Sequence, residues 1–144
     1  MSTKDKYAVI GLSVFTLGIV LYSVMSFLNT TIPTSLGRTS FSPILTGTTD
    51  SGDVAIELTP DGITDGKLTL NIAVNTHSVE LTQFNLQEIT TLEYDGQKVK
   101  PSSIPTLSGH HSTGTMQFTV DKEISSFTIT ITGIPKVEER IYRW

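Results

Sequence analysis

The 144-residue sequence contains no cysteine. No disulfide framework, thiolate zinc site, blue-copper centre, lipidated cysteine or cysteine nucleophile can therefore be built from it. Positive charge is also scarce, with 10 Lys and Arg against 14 Asp and Glu. From Asp53 to Trp144 the counts are 7 and 12, a net charge of −5. No basic stripe remains to grip phosphates, so nucleic acid is not an expected partner, and an acidic domain does not lie flat on an anionic leaflet. Also missing are a nucleophile elbow of the G-x-S-x-G type, a glycine-rich phosphate loop and a calcium-loop pattern. Catalysis is not expected.

What is present begins with Tyr7 to Leu28, YAVIGLSVFTLGIVLYSVMSFL, which carries no charged residue. Its length matches the roughly 20 residues a helix needs to cross a bilayer's hydrocarbon core. Lys4 and Lys6 precede it, while only Arg38 follows before Asp50 and Asp53. This bias predicts residues 1–6 in the cytoplasm, 7–28 as an uncleaved transmembrane signal anchor and the rest extracytoplasmic. A cleaved signal peptide is the rival reading; the run is long for one, and no clean small-x-small site follows Leu28. Gly11 and Gly18 share a helical face on which a neighbouring helix could pack.

Residues 29–52 are rich in Thr, Ser, Pro and Gly and read as a stalk, within which Phe41, Ile44 and Leu45 are candidates for a short strand or latch. From Asp53 the apolar period is two. Val54, Ile56 and Leu58 form one strand, ended by a turn at Pro60-Asp61-Gly62; Asp65-Gly66 precedes a second at Leu68 to Val74. Val79 to Ile89 breaks alternation and predicts a bulge or a single helical turn. Asp95-Gly96 marks a hairpin between Leu92–Tyr94 and Lys98–Lys100. Strands are expected again at Thr115–Val120, at Phe127–Thr132 and within Val137–Trp144. Seven or eight short strands in residues 53–144 predict an all-β domain, an immunoglobulin-like antiparallel β-sandwich.

Three histidines carry the most chemical promise: His77 in NTHSV, and His110 and His111 in SGHHSTG. The turn after the Leu68–Val74 strand and the loop before the Thr115–Val120 strand fall at one end of a sandwich, so His77 can meet His110 or His111. With Met116 as a soft ligand, such a set would suit copper or zinc. The competing reading makes the loop plain hydrogen-bonded turn structure, with Met116 in phase with Phe118 and Val120 in the core. Glu138 and Glu139, beside Arg140, read as a solvated edge. Tyr142 and Trp144 read either as a docking tail or as aromatics of a last strand.

The strings NTHSVELTQFNL, TTLEYDGQKVKP, SGHHSTGTMQF and GIPKVEERIYRW resemble a group of bacterial and archaeal single-pass membrane proteins with a small extracytoplasmic β domain. The likeness covers about Asp53 to Trp144. It implies the cytoplasmic membrane of a prokaryote and transfers no functional residue. The plan of a hydrophobic helix followed by a β domain is also similar to that of archaeal pilins, though no processing site stands before the hydrophobic run. The expected function is a non-catalytic binding or accessory module of a membrane or surface complex, partnered by other membrane subunits or by copies of itself. A copper or zinc module and a pilin-like filament subunit are the alternatives.

Overall fold

The computed structural model describes residues 41–144. The predicted anchor and most of the predicted stalk lie outside them. Two four-stranded antiparallel sheets pack face to face as a β-sandwich. One has the order β1-β2-β3-β6, formed by Ile44–Thr46, Ala55–Thr64, Lys67–Asn75 and His111–Thr119. The other has the order β5-β4-β7-β8, formed by Gln97–Val99, Thr90–Tyr94, Thr128–Thr132 and Glu139–Arg143.

Alternation builds the core. Leu68, Leu70, Ile72 and Val74 point inward from β3, Met116 and Phe118 from β6, and Leu92, Ile129, Ile131 and Tyr142 from the opposite sheet. Each such side chain contributes about 1.5–3 kcal/mol through area removed from water. Intervening Thr, Asn and Glu face outward, as period-two patterning requires.

Three connections cross between the sheets. β3 reaches β4 through a 3-10 turn at Leu81–Gln83 and one helical turn, α1, at Leu86–Ile89. Glu80 and Asn85 cap these two turns by accepting the N–H groups of Thr82 and Gln87. Leu81 and Leu86 are buried beneath them, which explains why alternation fails in this stretch. The segment between β5 and β6 is tied to the β6 edge by bonds between Ser103 and Gln117, and Pro105 occupies the space that a side chain at Gly114 would need.

Two expectations are corrected. Pro60-Asp61-Gly62 does not end a strand: β2 runs through it with a bulge between Pro60 and Gly62, and the chain turns at Asp65-Gly66. This stretch lies beyond the part of β2 that β1 pairs with, where, among the described residues, no second strand needs the donor that a proline lacks. β6 also starts earlier than the apolar pattern suggests. His111 is already paired, opposite Asn75. The latch expected of Phe41, Ile44 and Leu45 exists as β1, and Phe41 packs edge-on against Phe127 with ring centroids 5.4 Å apart.

Candidate functional site

Four connecting segments meet at one end of the sandwich: 47–54 before β2, 76–80 after β3, 108–110 before β6 and 133–138 between β7 and β8. Phe41 and the Asp65-Gly66 and Asp95-Gly96 turns belong to the other end. The loop end is organised around Asp53, which is 8% exposed. Its Oδ2 accepts the Thr48 N–H at 2.9 Å and the Thr48 hydroxyl at 3.1 Å. Its Oδ1 accepts the Val54 N–H at 2.7 Å and Arg140 Nη2 at 3.3 Å. Burial pushes the carboxyl's pKa up, but these donors outweigh it and hold the group below its ordinary value.

Arg140 projects inward from β8 with none of its side chain exposed. Besides Asp53 it donates to the Pro135 carbonyl at 3.2 Å and the Thr46 hydroxyl at 3.4 Å, so one guanidinium joins the 133–138 loop, β1 and the 47–54 loop. Gly47 is required here: its φ is +72°, and a Cβ would collide with the Val54 carbonyl and Arg140. Tyr142, next inward on β8, shares a 2.6 Å hydrogen bond with the Thr46 hydroxyl and donates to the Ile56 carbonyl. Burial pushes its phenol up to about 12.

Thr76 ties in the remaining loops. Fully buried, its hydroxyl donates to the Asp53 carbonyl at 2.8 Å, and its N–H donates to the His110 carbonyl at 2.9 Å. The Ser78 hydroxyl accepts the Gly52 N–H at 2.7 Å. Lys136 takes a left-handed φ of +65° after Pro135, a conformation that favours glycine. Its stem lies over Gly52.

The structure sets two members of the sequence-derived metal set, Met116 and His111, on opposite faces of one strand. Even-numbered residues of β6 point inward and odd-numbered ones outward, so Met116 is sealed in the core while His111 stands on the outer face. His111 Nδ1 is 2.7 Å from Asn75 Oδ1. His77 and His110 are exposed on neighbouring loops, with His110 near enough to Glu80 to help the Thr82 donors lower that carboxyl's pKa. Among the described residues, no three His, Cys, Asp or Glu side chains are grouped to hold a metal ion.

Asp53, Thr76 and Arg140 escaped the sequence reading as site-forming residues. The signal that Arg140 does give is its alternation in phase with Tyr142 and Trp144. Glu138 and Glu139 are exposed as expected. Tyr142 is in the core and Trp144 at its rim, where its indole N–H donates to the Ser42 carbonyl at 2.8 Å. In comparisons with known proteins, the chain matches no family model, no curated protein and no solved structure.

Proposed function

We propose that the chain is a membrane-tethered, non-catalytic accessory protein whose immunoglobulin-like domain engages a partner subunit through the loop end. With β1 set aside, the strand order is β2-β3-β6 against β5-β4-β7-β8. That order corresponds to an A-B-E sheet facing a C′-C-F-G sheet, the plan of immunoglobulin-like and fibronectin-like sandwiches, with β1 added at one edge. A fold of this kind does not assign a function, so the site must carry the argument.

The carrying observation is that buried Asp53, Thr76 and Arg140 bond four separate loops to one another. Loops fixed in this way present His77, Ser78, Lys136 and Asp50 to solvent at low ordering cost, which favours recognition by a preformed surface. The 7–28 segment supplies the tether, placing the domain outside the cytoplasmic membrane of a prokaryote.

Site-specific photo-crosslinking in cells tests the reading. Crosslinkers at Ser51, His77 and Lys136 are expected to trap the same partner, while those at Asp65 and Gly96, at the other end, do not. Equal labelling from both ends, or none from the loop end, contradicts it.

A further inference from the structure

Among the described residues, β8 is an edge strand, bonded on one side to β7. Phe127 and Trp144 exchange both backbone bonds, at 3.0 and 3.1 Å, and Gly133 donates to the Glu138 carbonyl at 3.0 Å. In the observed register, bonding to β7 therefore falls on Glu138, Arg140, Tyr142 and Trp144. The N–H and C=O groups of Glu139, Ile141 and Arg143 face the open edge. Their side chains stand on the outer face of the sheet, so the core does not need to move for this edge to be used.

Charge on an edge strand ordinarily blocks pairing with other chains. Here its placement is self-complementary. Glu139 and Arg143 are exposed, equidistant from Ile141 and opposite in sign. Across β7 they face Thr132 and Thr128, and among the described residues neither forms an ion pair. When two β8 strands run antiparallel about a two-fold axis at Ile141, each Glu139 lies opposite Arg143 of the second copy, and the two Ile141 side chains meet at the axis. All three edge-facing residues then become hydrogen-bonded pairs. A slip of two residues in either direction sets Glu139 or Arg143 opposite Ile141 and leaves both charges of each copy without their partners, so one register is specified.

We infer that β8 is a homodimerisation edge, joining two copies of this chain into a continuous eight-stranded sheet through an isologous β8–β8 contact. The inference does not depend on the loop-end reading, because the edge and the four loops use different residues.

The full chain, purified in detergent, tests it through charge reversal. Glu139→Arg and Arg143→Glu, made singly, each place two like-charged pairs across the axis and are expected to weaken dimerisation roughly tenfold or more, read as Kd by sedimentation. The double variant restores the pairs and is expected to recover dimerisation. Since the chain has no cysteine of its own, Ile141→Cys adds a second reading: oxidation is expected to yield a disulfide-linked dimer. A chain that is monomeric throughout, a dimer indifferent to the single reversals, or a double variant as weak as the singles overturns the inference.

Discussion

Arg140 carries a charge that cannot be removed near neutral pH, and it sits where water does not reach. Its stability therefore depends on Asp53. Removing one member of a buried ion pair costs about 3–5 kcal/mol, because the other is left uncompensated. Asp53→Ala is expected to lose about that much by denaturant titration, while Asp53→Ala combined with Arg140→Met loses clearly less than the two single changes added together. The same residue predicts an acid response. Its pKa is lower in the folded chain than the ordinary 3.8, so its contribution is complete above that value and disappears as pH falls through the folded pKa. Asp53→Asn is expected to flatten this part of the acid unfolding curve. Tyr142 acts at the opposite limit. Its folded pKa of about 12 exceeds the ordinary 10.0, so stability is full below 10.0 and falls between the two values as the unfolded chain ionises first. Tyr142→Phe is expected to abolish that alkaline fall, at a cost of about 0.5–1.5 kcal/mol at neutral pH for the lost hydrogen bonds.

At the scale of strands and turns, local chemistry decides how firmly each loop is held. Gly47→Ala is expected to destabilise β1 and the 47–54 loop together, because the added methyl meets backbone and guanidinium at once. Lys136→Gly is expected to raise stability by up to about 1 kcal/mol, since it relieves a left-handed non-glycine residue, and thermal unfolding of the two variants checks both signs. The elements most legible in the sequence are those fixed by period two and by turn residues: β3, β7 and the Asp95-Gly96 hairpin. Pro60-Asp61-Gly62 misled because a bulge on an exposed edge and a turn call for the same residues. The start of β6 was hidden because His111, Ser112 and Thr113 carry no apolar alternation, and their pairing is imposed by β3. The loop end was least legible. Asp53 and Arg140 are 87 positions apart, and their meeting depends on how β2 and β8 face one another across the sandwich.

For the molecule as a whole, the fold separates two kinds of surface: a strand edge that pairs through backbone, and a loop end whose side chains are displayed by a buried polar hub. Recognition through the loop end requires that hub to make the loops as firm as the strands, since a recognition surface assembled from mobile loops would incur ordering entropy on binding. Native-state amide hydrogen exchange on the full chain measures this directly. The amides of Gly52, Val54, Thr76, Val79 and Gly133 are expected to exchange with protection comparable to those of Leu70 and Ile129 in the sheets, and Asp53→Asn is expected to reduce protection at all five together. Loop amides that exchange as fast as the exposed Asp95-Gly96 turn, or that lose protection independently of Asp53, would contradict a preformed loop platform.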